Sequence, residues 1–113
     1  LLRFFFKPSC GVCKKAKAYL DRRGIDYEAV DILRTPPPRE LLARAIDPAD
    51  PKKSLNARSG SFRRKGLAGR PLTAAEALDL MVEDPSLIRR PFIIDRDRVY
   101  QGFDEGSFEA FLG

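Results

Sequence analysis

An apolar run, a proline turn and a Cys-x-x-Cys pair follow one another without a gap in Phe4-Phe5-Phe6-Lys7-Pro8-Ser9-Cys10-Gly11-Val12-Cys13. The aromatic run reads as a buried strand over Leu2–Phe6, and Pro8 ends it because proline cannot donate to a ladder. A helical pattern begins at about Gly11 and continues to Arg23, with Val12, Ala16, Tyr19 and Leu20 at i, i+4, i+7 and i+8 and Gly24 as the C′ residue. Cys10 is thereby placed at the first turn of a helix. The free N–H groups and the macrodipole there favour a thiolate, which predicts a Cys10 pKa below the free value of ~8.5. Cys13 falls on the same face one turn later, within reach for a disulfide. Strand, turn, Cys-x-x-Cys and helix in that order predict a thiol redox site with Cys10 as nucleophile and Cys13 as resolving thiol. Lys14 and Lys15 add positive charge beside it.

The remaining chain predicts what surrounds this unit. Tyr27–Ile32 reads as a second strand, closed by Pro36-Pro37-Pro38, and a right-handed crossover makes it parallel to the first. A helix starts at about Pro38 with Leu41, Leu42, Ala45 and Ile46 inward. Asp47–Lys53 reads as a loop, and Leu55 and Phe62 mark a short helical stretch within Ser54–Leu67. Thr73-Ala74-Ala75-Glu76 fits a capping box for a helix to about Glu83, with Leu78, Met81 and Val82 inward. Phe92–Asp95 and Val99–Gln101 read as a hairpin. Asp104 caps a last helix bearing Phe108, Phe111 and Leu112. The order β-α-β, helices, β-β-α predicts an α/β fold. It is a thioredoxin-like (glutaredoxin-like) core with a mixed four-stranded sheet and a central helical insertion at about 38–84, in one domain over 1–113.

Composition removes several alternatives. The 113 residues contain no histidine and only two cysteines. Cys-His catalysis, histidine metal ligation and a histidine base are therefore excluded, and a four-ligand zinc site lacks its ligands, so no metal or bound cofactor is expected. No apolar run approaches the ~20 residues of a membrane span, and no signal-peptide pattern opens the chain; a cytoplasmic location is expected. The net charge of +5 suits an anionic small molecule or an acidic partner surface. No continuous basic stripe with interleaved aromatics supports direct nucleic-acid binding, and Arg63-Arg64-Lys65 reads as a solvated helix face.

Three stretches carry a family resemblance: Lys7-Pro8-Ser9-Cys10-Gly11-Val12-Cys13-Lys14-Lys15-Ala16, Leu55-Asn56-Ala57-Arg58-Ser59, and Asp84-Pro85-Ser86-Leu87-Ile88-Arg89-Arg90-Pro91-Phe92-Ile93-Ile94-Asp95 with Gly102-Phe103. Together they make the chain resemble the arsenate reductase (ArsC) family, which includes the Spx-type regulators. The resemblance implies a cis bond at Arg90-Pro91 facing Cys10. It also implies that Arg90 steadies the charged species, with Lys14, Asn56, Arg58 and Pro91 at the substrate. In the family's arsenate reductases a thiolate attacks arsenate, and glutathione with glutaredoxin resolves the adduct. Glutathione, with glutaredoxin or thioredoxin, is thus the implied electron donor. The substrate is a small oxyanion or a thiol or disulfide.

This chain departs from the arsenate pattern. Phe6 stands where those enzymes carry histidine, and Lys14 where they carry arginine. Of their three oxyanion-binding arginines only one matches, as Arg90. The other two positions align near Asn56 and Gly102, with Arg58 as a substitute for the first and nothing for the second. A tetrahedral oxyanion needs several charge-assisted donors. The Spx regulators share the Cys-x-x-Cys spacing, the Ala57-Arg58-Ser59-like element and the Arg89-Arg90-Pro91 stretch. They use the disulfide as a switch and bind the α C-terminal domain of RNA polymerase through a loop glycine, which Asp47–Lys53 lacks.

Overall fold

The computed structural model describes residues 1–113. Strand β1 (Leu2–Phe6) leads through the Pro8 turn into helix α1 (Gly11–Arg22), and β2 (Tyr27–Asp31) follows. Helices α2 (Arg39–Ala45), α3 (Gly60–Arg64) and α4 (Ala74–Glu83) come next, interleaved with 3₁₀ turns at Pro51–Ser54, Leu67–Gly69 and Pro85–Leu87. Strands β3 (Phe92–Asp95) and β4 (Arg98–Gln101) and helix α5 (Glu105–Leu112) close the chain. The sheet order is β2-β1-β3-β4, with β1 parallel to β2 and antiparallel to β3, and β3 antiparallel to β4. This is the expected thioredoxin-like sheet.

Strand side chains alternate between faces, and the sheet divides the core accordingly. Leu2, Phe4 and Ile93 face one way, onto Ala16, Tyr19 and Leu20 of α1 and Phe108 of α5. Phe5, Phe92 and Ile94 face the other way, onto Leu42, Leu55, Leu67, Ala77 and Met81 of the insertion and Leu87 and Ile88 of the turn that follows it. The insertion is thus a second packed layer against the sheet.

Several local expectations hold at residue level. The α4 capping box is complete, with the Glu76 N–H donating to Thr73 Oγ1 at 3.1 Å and the Thr73 N–H to Glu76 Oε1 at 2.9 Å. Gly24 takes a left-handed φ of 64° just beyond α1, and Asp104 caps α5 through its carboxylate. The Arg90-Pro91 bond is cis.

Others need correction. Val12 and Val82 were expected inward and are exposed at 37% and 42%. Each lies one position from the buried stripe, where Cys13 and Met81 are fully packed. Leu55 anchors no helix: it bridges to Ile88 in a short antiparallel contact, and only Gly60–Arg64 is helical there. The expected loop 47–53 contains the start of the Pro51–Ser54 3₁₀ turn, which Pro51 initiates. No helix is long and apolar enough to cross a membrane.

Candidate active site

Cys10 is the N-cap residue of α1, one position before its first turn, with extended backbone angles of φ −86° and ψ 115°. That position aims its sulfur back along the helix axis, where it accepts the Cys13 backbone N–H at 3.3 Å. A cap residue satisfies one of the orphan donors of the first turn, and a thiolate does so with a full charge. Burial of Cys10 raises its pKa, but hydrogen bonds from the Cys13 thiol and backbone and the charge and hydrogen bond of Arg90 outweigh it, so the net shift is downward. Cys13 is 3% exposed, and its pKa is pushed up to about 12, first by burial and then by donation to Cys10. Both are free thiols. The pair is asymmetric: a half-buried sulfur favoured as thiolate, beside a buried sulfur held as thiol.

Cys10 opens onto a cleft of about 1020 Å³ between the β1–α1 turn and the insertion. Four arginines (Arg58, Arg64, Arg89, Arg90) and four lysines (Lys7, Lys15, Lys52, Lys53) line it, with no aspartate or glutamate. All six ion pairs of the protein involve other cations, so this charge is uncompensated by carboxylates. Polar backbone from Ala57, Gly60 and Gly102 completes the walls.

Arg90 donates through Nη1 to the Ser86 carbonyl at 3.3 Å, and its Nε is buried without a partner. The loop that carries it is pinned by backbone bonds: the Arg89 N–H donates to Ser54 O at 3.0 Å, the Asn56 N–H to Leu87 O at 2.7 Å, and the Gly102 N–H to Pro91 O at 2.9 Å. Asn56 spends its side-chain oxygen on the Arg58 N–H at 3.1 Å, forming the turn that presents Arg58 to the cleft. Pro91 does not line the cleft; Arg90 beside it does.

Lys14 is placed elsewhere than the sequence suggested. It lines a separate cavity of about 130 Å³ on the far side of the α1 start, with Phe4, Phe6, Pro8 and Cys13. Lys15, the next residue, lines the large cleft. Neither lysine is among the groups that shift Cys10. Arg64, read from sequence as part of a solvated face, also lines the cleft and donates to Ser61 Oγ at 3.1 Å. The position near Gly102 that seemed to lack a cation is occupied by the guanidinium of Arg89, which lies directly over this glycine. Sequence reading missed Arg89; its place in tandem with Arg90 before the proline was the available signal. No group of three or more His, Cys, Asp or Glu residues is placed to hold a metal ion.

Fold and cleft together define a thioredoxin-like protein with a cysteine pair at a helix start and an insertion that supplies cations. The model of the ArsC family matches residues 5–111, and the chain belongs to that family. A global transcriptional regulator Spx of Streptococcus pyogenes is 31% identical over 99% of this chain and 85% of its own. Among solved structures, a possible arsenate reductase from Streptococcus mutans is 31% identical with a TM-score of 0.81, covering 96% of this chain and 97% of that one. An ArsC family related protein from Bacteroides fragilis is 26% identical with a TM-score of 0.85, covering 96% and 95%.

Proposed function

We propose that the protein is a thiol–disulfide oxidoreductase in which the Cys10 thiolate is the nucleophile and Cys13 the resolving thiol. The observation that carries this is the opposed tuning of the two sulfurs, Cys10 downward and Cys13 up to about 12, at one helix start. Cys10 attacks one sulfur of a mixed disulfide between a thiol and glutathione; a Cys10–sulfur bond forms and one thiolate leaves, taking up a proton. Cys13 then gives up its proton and attacks the Cys10 sulfur, displacing the second thiol and closing the Cys10–Cys13 disulfide. The pair loses two electrons and the substrate gains them. Two glutathione molecules, directly or through glutaredoxin, return the pair to the dithiol and leave as glutathione disulfide. Arg90 steadies the thiolate throughout.

The test is reduction of a cysteine peptide–glutathione mixed disulfide by glutathione, with glutathione reductase reporting NADPH loss. The wild-type protein should accelerate it and Cys10→Ser should abolish the acceleration. A wild-type rate equal to background would overturn the reading. Arsenate supplied in the same assay should be turned over weakly or not at all, because Lys14 faces away from the cleft and Phe6 offers no polar group.

A second reading draws on the Spx regulators at 31% identity. In it the disulfide is a switch, and the protein docks on the RNA polymerase α C-terminal domain as a transcriptional regulator. A pull-down with that domain, oxidised and reduced, decides it: a specific, redox-dependent complex would place this reading first.

A further inference from the structure

Two of the cleft arginines are seated on glycines. A Cβ built on Gly102 would come within 2.7 Å of Arg89 Nη2 and 2.9 Å of its Cζ, so the guanidinium would have to move aside. A Cβ on Gly60 would come within 2.8 Å of Arg64 Nη1. Each guanidinium therefore occupies the volume that a side chain at the facing position would take. Gly102 also has a left-handed φ of 80°, a backbone conformation that favours glycine there.

Arg89 is the more telling of the two. Its backbone is fixed on both sides, the N–H donating to Ser54 O at 3.0 Å and the carbonyl accepting Gln101 Nε2 at 3.0 Å. Gly102 is tied in turn to Pro91. Yet the Arg89 guanidinium takes part in no hydrogen bond and no ion pair, though it lines a cleft without a single carboxylate. The result is an anchored stem with a free planar fork of donors. Guanidinium forks match carboxylates in a bidentate geometry.

We propose that Arg89 seated on Gly102 and Arg64 seated on Gly60, which line the same cleft as Arg90 and Cys10, form a clamp for the carboxylates of the disulfide that Cys10 attacks, and that the clamp selects anionic over neutral disulfides. This deepens the oxidoreductase reading and rests on it. Arg90 serves the sulfur, whereas Arg89 and Arg64 serve the remote ends of the substrate. Binding at remote groups positions the reacting sulfur.

The experiment follows the oxidation of the fully reduced protein, by quenched alkylation and mass spectrometry, with glutathione disulfide (carboxylate-bearing) and bis(2-hydroxyethyl) disulfide (neutral). Both react with the same thiolate, so the ratio of their second-order rate constants cancels any change in Cys10 itself. Arg89→Gln should lower that ratio about tenfold, near the lower end for a lost charge-assisted hydrogen bond. Arg64→Gln should lower it less, and Arg89→Lys should restore part of it. The wild-type ratio should also fall as salt rises. A ratio within twofold of wild type in Arg89→Gln would overturn the clamp. If neither disulfide oxidises the wild-type protein, the oxidoreductase reading fails by itself. The clamp is then decided by calorimetric binding of unreactive S-methylglutathione. Tenfold weaker binding by Arg89→Gln upholds it, and equal or absent binding overturns it.

Discussion

The two sides of the cleft are built by different means. On one side, a strand, a turn and a helix N-terminus place Cys10 and Cys13, and the contacts between the two lie within a few residues of the chain, with Arg90 the long-range exception. On the other, Lys52, Lys53 and the four arginines ride on or beside short turns and a five-residue helix, fixed by bonds such as Gln101 Nε2 to the carbonyls of Ser54 and Arg89. Reactivity is set by regular local structure, and charge by long-range stitching. A nucleophile placed locally takes from the opposite wall the contribution of Arg90 and otherwise depends on its own helix start. The rest of the cation set can therefore vary while the thiol chemistry stays.

Packing offers the strongest test of that contrast. Leu87 is fully buried in the insertion layer two residues before Arg89, and Phe108 is fully buried under α1. Phe108→Ala should cost about 3–5 kcal/mol and Leu87→Ala about 2–5 kcal/mol of unfolding free energy in urea titrations. Of the two, Leu87→Ala should weaken S-methylglutathione binding while leaving the pH dependence of Cys10 alkylation in place. An alkylation midpoint displaced further in Leu87→Ala than in Arg90→Gln would break the separation of the two sides.

A finer test titrates the thiol. Cys10 alkylation should rise with pH through a midpoint below ~8.5, because only the thiolate reacts, and Cys13 should stay unreactive over the same range. Loss of a group that lowers the pKa must move the midpoint up. Cys13→Ala removes the leading hydrogen bond and should move it furthest; Arg90→Gln removes a weaker contribution and should move it less. An unmoved midpoint in Cys13→Ala would sink the account of the asymmetry.

The smallest expected effect is local. Thr73→Ala removes the first half of the α4 capping box and should cost about 1 kcal/mol, read by thermal unfolding, with no change in alkylation rate. Since α4 packs only in the insertion layer, altered thiol reactivity in this variant would again contradict the contrast.

The same division explains what could be read from the sequence. Strand β1, the α1 start, the Thr73 box and the β3–β4 hairpin all rest on spacing within about a dozen residues, and they stand close to where the pattern placed them. Cys10, Arg58 and Arg90 do line one cleft. Lys14 and Arg89 show where such reading ends. On a helix, adjacent residues point about 100° apart, so choosing Lys14 rather than Lys15 required the direction of α1 against the insertion. Arg89 over Gly102 required the direction of a side chain three residues before β3, which the hairpin spacing does not encode. Val12 and Val82 failed for the same reason: an apolar side chain one step off the packed stripe looks identical in sequence.

The burial of Cys13 behind Cys10 has a consequence for traffic through the pair. Cys10 opens onto the large cleft whereas Cys13 is 3% exposed, so a bulky partner meets Cys10 first and the second sulfur acts through it.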